Sequence, residues 1–465
     1  MSPILIISCI AAYFSLLLLI SWITGRNADS QSYYIGNKQS AWYLVAFGLI
    51  GDSLSGVTFV SVPGAVAASQ FSYMQLVFGY LLGYLVIAQV LLPLYYRLNL
   101  TSIYSYLGDR LGKSSQKSGS FFFLLSRLVG AAFRLYISAA VLQLFIFDQW
   151  GVPFALTVSI VIALILLYTY RGGIKTLVWT DTLQSGFLLM GVILSIAAIS
   201  SELNLGFSEM VKTVKDSPYS QIFFWDWHEK NYFFKQFFSG AFIAIVMTGL
   251  DQNMMQKNLS CKSLPEAQKN IYWFSSVLIF VNLFFVTLGA LLYTYAGSKG
   301  IGLPAKSDEL FPLLALNHLG SFAAIVFILG ITAATFSSAD SVLTTLTTSF
   351  CIDFLGINTS QTVENKKDTR TRHLVHVAFA FLLLLIIIVF REINNDTVIN
   401  AVFRVAGYTY GPLLGLFSFG LFTRISVKDR WVPVICVISP ILSYVLDTHS
   451  EAWFGGDKFG FELLM

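Results

Sequence analysis

Twenty consecutive residues, Ile331 to Phe350, read ITAATFSSADSVLTTLTTSF, and ten of them are Ser or Thr. They lie in an apolar segment running from Ser321 to about Ile352, with one carboxylate, Asp340, in the middle. Ala334, Ser337, Ser338, Ser341, Thr345 and Thr348 recur at three- and four-residue steps, so on a helix they form one stripe of hydroxyls. Most such hydroxyls bond back to carbonyls of their own helix. A carboxylate at membrane depth is different, because it costs several kcal/mol unless a cation, a proton or a polar cavity compensates it. Hard oxygens around a negative charge suit a dehydrated alkali cation, and the stripe reads as half of a Na+ site.

A second stretch offers the other half. Ala41 to Ser69 carries Gly48, Gly51, Gly56, Gly64 and Pro63, with the run GDSLSG from Gly51 to Gly56 at its centre. Glycines around polar residues either let helices pack closely or let the helix unwind and free its carbonyls, which membranes tolerate only beside a cavity. Asp52 favours unwinding. Arg127 and Arg134 sit seven residues apart and share a helix face two turns along. Each is either paired with a buried aspartate or in contact with a ligand, and Arg134, further from the end of its span, is the better ligand candidate. Asp181 and Gln184 share a face at the start of another span, and Phe234 to Met255 holds Gly240, Gly249, Asp251 and Gln252.

The elements that position these groups follow from composition. The chain has 465 residues, 56% hydrophobic and 12% charged, with a mean hydropathy of +0.70, which is outside the range of soluble domains and marks a polytopic membrane protein. Runs long enough to cross about 30 Å of hydrocarbon fall at roughly 3–23, 41–69, 72–98, 120–148, 151–170, 179–200, 234–255, 270–296, 321–352, 373–392, 396–422 and 431–447, twelve spans in all. The first run lacks a basic start and a small-residue cleavage site, so it reads as a retained helix. With the N-terminus outside, most Lys and Arg, among them Arg97, Arg110, Lys257, Lys262, Lys366, Lys367, Arg424 and Arg430, fall in cytoplasmic connections. The net charge of +4 thus reports topology and gives no argument for nucleic acid. Cys9, Cys261, Cys351 and Cys436 show no paired spacing, so neither a disulfide framework nor a zinc site is implied.

The connection 201–233 and the stretch SDELFPLLALNHLG (Ser307 to Gly320) are expected on the outer surface, the latter as a short helix and outer lid. The run GYTYGP, Gly407 to Pro412, suggests another helix interruption. The last residues, ending GFELLM, read as the start of a further hydrophobic helix that stops, as in a truncated form. The two glycine-interrupted spans open two sets of five helices, and an odd repeat length gives the sets opposite orientation, the layout of inverted-repeat transporters. The expected organisation is a peripheral first helix and link at 1–40, a first five-helix repeat at 41–200, a connection at 201–233, a second repeat at 234–423 and an additional C-terminal helix and tail at 424–465.

Six stretches in order resemble the sodium/solute symporter family: SGVTFVSVPG (Ser55–Gly64), TSIYSYLGDRLG (Thr101–Gly112), GGIKTLVWTDTLQ (Gly172–Gln184), DQNMMQKNL (Asp251–Leu259), ATFSSADS (Ala334–Ser341) and GYTYGPLLGLF (Gly407–Phe417). The resemblance implies an all-α polytopic membrane protein with a leucine-transporter-type 5+5 inverted-repeat bundle, additional peripheral helices and about 12 transmembrane helices. It implies a main Na+ site at Gly51, Leu54, Ala334, Ser337 and Ser338. A second Na+ site, held by some members, matches Asp181, Ser337, Asp340 and Ser341. Asp340 stands where a hydroxyl is expected, which either strengthens a cation site or signals proton coupling.

For the solute, sugar-transporting members carry amides and an acid where this chain has Thr58, Val77 and Ala244, so a hexose is disfavoured. Sialic-acid-transporting members grip a carboxylate with an arginine close to the position of Arg134. Ser53, Ser55, Thr58, Tyr73 and Gln75 complete the expected solute site. The expected activity is Na+-coupled symport of a small carboxylate-bearing solute such as sialic acid or another organic acid, by a monomer in the plasma (inner) membrane. A Na+-coupled sugar, polyol or vitamin symporter is the alternative within the class, and a membrane sensor or channel reusing the fold is the alternative outside it. No His/Asp or Ser/His constellation recurs that would suggest an enzyme.

Overall fold

A computed structural model describes residues 3–26, 30–357, 366–393 and 398–453. The described residues are helical, with one isolated bridge between Ser40 and Cys261 and no strand. In a bilayer this is forced, since each backbone N–H and C=O must be satisfied within its own segment. Nine helices among the described residues are long and apolar enough to span: Ile7–Gly25, Tyr73–Arg97, Lys113–Leu142, Gly173–Glu202, Leu264–Lys299, Gly320–Phe354, Lys366–Ile393, Val405–Phe422 and Asp429–Ser450. Two more spans are bent pairs, Trp42–Ser53 with Gly56–Ser69 at 57° and Phe233–Gly249 with Gln252–Leu259 at 64°. By length and apolarity the described residues thus hold nine spans, or eleven with the bent pairs, against the twelve expected from hydropathy; the twelfth place is taken by the shorter apolar helix Phe154–Tyr170.

Each bent pair opens a set of five spans, preceded by the helix from Pro3 and followed by that ending at Trp453. The bends fall where the sequence put its glycines. In the first, the ladder ends at Leu54 N–H to Ile50 O and resumes at Phe59 N–H to Ser55 O, so the carbonyls from Gly51 to Leu54 terminate a helix inside the protein. In the second, Asp251 caps the new helix by accepting the N–H of Met254 at 3.1 Å.

The hydroxyl-rich helix lies at the centre, packed on Gly173–Glu202. Every residue from Gly330 to Ser349 is buried, so the stripe faces protein and not lipid. The chain reaches Gly173–Glu202 through a turn at Gly173, where φ is +52° and a Cβ would lie 2.5 Å from the backbone of Tyr33; only glycine fits. The short helix expected between residues 307 and 320 is present. Leu310–Asn317 is a short helix whose Phe311 packs on Phe59 and Phe327, with ring centroids at 5.3 and 4.7 Å.

Two expectations fail. The run Gly407–Pro412 does not interrupt its helix, which continues from Val398 to Phe422 with Pro412 inside. A proline removes a single ladder bond, and neighbouring helices in a bundle make up for it. Lys257, assigned to a cytoplasmic connection, is 1% exposed within Gln252–Leu259, all eight residues of which are buried. Its helix is too short and polar to register in hydropathy, yet it is walled in by the bundle. The expected hydrophobic start at the C-terminus falls in residues 454–465, outside the described residues.

Candidate functional site between the broken helices

The two halves of the expected cation site meet. A Cβ placed on Gly51 would lie 2.9 Å from Ser337 Oγ and 2.5 Å from Ser185 Oγ, and the Gly51 N–H donates to Ser185 Oγ at 2.9 Å. Ser338 Oγ bonds back to the Ala334 carbonyl at 3.2 Å, so those two oxygens lie on the same side of the helix. Thr335, Thr345, Thr347 and Thr348 also bond back to carbonyls four residues earlier, the ordinary behaviour of membrane hydroxyls. Ser337 Oγ does not: it is buried with no hydrogen-bond partner among the described residues. An orphan buried hydroxyl costs about 1–3 kcal/mol, and here it faces the helix end whose last carbonyls, Gly51 to Leu54, have lost their ladder. Backbone and hydroxyl oxygens so arranged are the ligand chemistry of a hard monovalent cation.

The residues of the expected second site are arranged differently. The ammonium of Lys257 donates to Asp52, to Asp181 at 2.5 Å and to Ser341 Oγ at 2.7 Å. Ser341 Oγ also lies 3.3 Å from Asp181. Asp340 turns to the other side, accepting Tyr168 OH at 2.7 Å, Gln184 Nε2 at 3.4 Å and the Ser341 N–H at 2.5 Å. Asp181 and Ser341 therefore converge, while Ser337 faces Gly51 and Asp340 faces Tyr168.

Beside the first break lies a cavity of about 110 Å³. Of the expected solute residues, Ser53, Ser55, Thr58, Tyr73 and Arg134 line it. Arg127 is the arginine that pairs: it binds the Asp251 carboxylate and donates to the Met247 carbonyl at 3.0 Å. For Arg134 no hydrogen bond or ion pair exists among the described residues, which leaves its guanidinium to the cavity. Gln75 corrects the expectation. It is fully buried and spends its amide on the connection 201–233, donating to Asn231 O at 2.8 Å and accepting from Phe224 N–H at 3.1 Å. Two positions on a helix turn the side chain by about 200°, so Tyr73 facing the cavity sends Gln75 away from it.

Sequence reasoning missed Tyr84, Thr248 and Asn282 as lining groups, and Lys257 as the partner of Asp52 and Asp181. Asn282 lines the same cavity and keeps a buried Oδ1 with no partner among the described residues. Its signal was an isolated Asn in an otherwise apolar span. For Lys257 the signal was Asp52, a carboxylate within a span to which no cation had been assigned.

Two broken helices opening two five-helix sets, with a polar cavity and converging oxygens at the break, define a membrane carrier of the leucine-transporter type. The comparisons narrow the class: residues 33–426 match the model of the sodium:solute symporter family, and the chain belongs to that family of transporters. It is 23% identical over 459 residues to the sodium/sialic acid symporter SiaT of Proteus mirabilis, covering 96% of this chain and 90% of that one. It is 25% identical over 464 residues to the sodium/sialic acid symporter NanT of Aliivibrio fischeri, covering 96% and 88%. The fold superposes on a Na+-coupled sialic acid symporter solved in a substrate-bound outward-open state with a TM-score of 0.82, at 21% identity, over 99% of this chain and 94% of the other.

Proposed function

We infer that this chain is a Na+-coupled symporter of a small solute bearing a carboxylate, with sialic acid as the first candidate. The observation that carries the coupling ion is the buried hydroxyl of Ser337, without a partner among the described residues, against Gly51 at the end of a broken helix. Na+ bound by the carbonyls of Gly51 and Leu54 and by Ala334, Ser337 and Ser338 would tie the first broken span to the hydroxyl-rich helix. Its release would let the two part, which gives alternating access around a central solute.

The solute class rests on Arg134, a cavity-lining guanidinium with no carboxylate partner among the described residues. Arginine presents parallel N–H groups that match a carboxylate. The hydroxyls of Ser53, Ser55, Thr58 and Tyr73 and the amide of Asn282 could serve the hydroxyls of a sugar acid. The names of SiaT and NanT support the same solute. The distribution of Lys and Arg supports an N-terminus on the outer side of the plasma membrane, with Lys257 removed from the tally.

One Na+ moving down a tenfold gradient and 100 mV supplies about 1.4 plus 2.3, or about 3.7 kcal/mol. For a neutral solute that is roughly 500-fold accumulation. For a monoanion the electrical part cancels and one Na+ supports about tenfold. The test is uptake of labelled sialic acid into proteoliposomes with Na+ or K+ outside, for the natural chain and for Ser338→Ala. Uptake that needs Na+ and is lost in the variant is expected; unchanged Na+-dependent uptake in Ser338→Ala would refute the ion assignment.

A further inference from the structure

Lys257 occupies a point where three separate elements converge. Asp52 comes from the first broken span, Asp181 from Gly173–Glu202 and Ser341 from the hydroxyl-rich helix. An ammonium has three N–H donors, and these three oxygens take all of them. Asp52 and Asp181 each retain a second buried oxygen with no partner among the described residues. Two carboxylates and a hydroxyl directed at one buried point make a hard-cation site by composition, and the cation present is the chain's own.

A Na+ using the Asp181 and Ser341 oxygens would need the space that Nζ fills 2.5 and 2.7 Å from them. Displacing a fully buried ammonium from both its carboxylates would leave that charge unpaired. We propose that Lys257 is a built-in cation at a second cation position, so that the carrier binds one Na+, at Gly51 and Ser337, and that removing the ammonium turns Asp52, Asp181 and Ser341 into a site for another. This rests on the Na+-symport reading above and sets its stoichiometry. A monoanionic solute moving with one Na+ carries no net charge, so the natural chain is electroneutral with sialic acid, and a chain without the ammonium moves one positive charge per cycle.

The test counts sites with Na+ alone. Equilibrium binding of radioactive Na+ to purified protein in detergent is expected to give about one ion per natural chain and about two per Lys257→Met chain. Lys257→Arg, which keeps the charge, stays at one. Two Na+ per natural chain overturns the inference and leaves Na+ symport standing, while no Na+ binding by the natural chain removes the symport reading and this inference with it. A folded Lys257→Met chain that still binds one ion also overturns it. Should Lys257→Met fail to fold, Lys257→Met with Asp52→Asn and Asp181→Asn removes the ammonium and both its carboxylates and is expected to bind one, and the count on the natural chain decides the matter regardless. Membrane potential should leave sialic acid uptake by the natural chain unchanged within twofold; a tenfold response per 60 mV would count against one Na+ per solute.

Discussion

The backbone N–H of Gly51 donates to the hydroxyl of Ser185 at 2.9 Å, and this bond fixes the end of the first broken helix against the span Gly173–Glu202. The contact leaves no room for a side chain at residue 51. Gly51→Ala would set a methyl 2.5 Å from Ser185 Oγ and 2.9 Å from Ser337 Oγ. The expected outcome is a chain that inserts and folds but needs at least about tenfold more Na+ for half-maximal uptake, equivalent to about 1.4 kcal/mol. The Na+ dependence of uptake in proteoliposomes measures it.

Ser337→Ala separates stability from coupling. The hydroxyl is buried without a partner among the described residues, so its removal relieves a desolvation penalty and should leave the Na+-free protein as stable as before or more stable by up to about 1 kcal/mol. The stabilisation that Na+ confers by binding the folded state should shrink at the same time. Thermal unfolding in detergent with Na+ or K+ checks both; a variant destabilised in K+ would mean that the hydroxyl already has a partner.

The two arginines of one helix face should respond in opposite ways. Arg127→Ala leaves the Asp251 carboxylate buried and unpaired and should cost about 3–5 kcal/mol, seen as poor yield and a low unfolding temperature. Arg134→Ala breaks no ion pair among the described residues, so the chain should fold normally and lose at least about tenfold in solute affinity. Arg134→Lys should recover only part of it, since an ammonium lacks the parallel donors.

Asp353 is held by Ser102, Ser120 and Ser349 at 2.8–2.9 Å on one oxygen and by Gln116 at 3.0 Å on the other. All four neighbours donate. Asp353→Asn would aim an NH₂ group at one or more of these donors and should destabilise the chain by about 1–3 kcal/mol. Half-saturating Na+ and solute should stay within twofold, because no atom of Asp353 lines the cavity.

Gln75→Ala tests a position that the sequence misassigned. Losing the amide frees the connection 201–233 at Phe224 and Asn231 and should lower the unfolding temperature, while solute affinity stays within twofold. A large loss of affinity with unchanged stability would return Gln75 to the solute site.

The membrane class, the span positions and both helices that meet at the candidate cation site could be read from one sequence, because each rests on local quantities. Twenty apolar residues span a bilayer whatever surrounds them, and glycines around Asp52 weaken a helix wherever it lies. The hydroxyl stripe from Ala334 to Thr348 is likewise set by helical period alone. Which hydroxyls bond back and which stay free was decided by packing: Ser338 reaches its own Ala334 carbonyl, while Ser337 is aimed at Gly51 on another helix. The same holds for charge. Residues 52, 181 and 257 are distant in sequence, and the energy of a buried carboxylate depends on what stands within a few ångströms of it. Only the folded chain shows that Arg127 is spent on Asp251, that Arg134 is not, and that the cation beside Asp181 is a lysine.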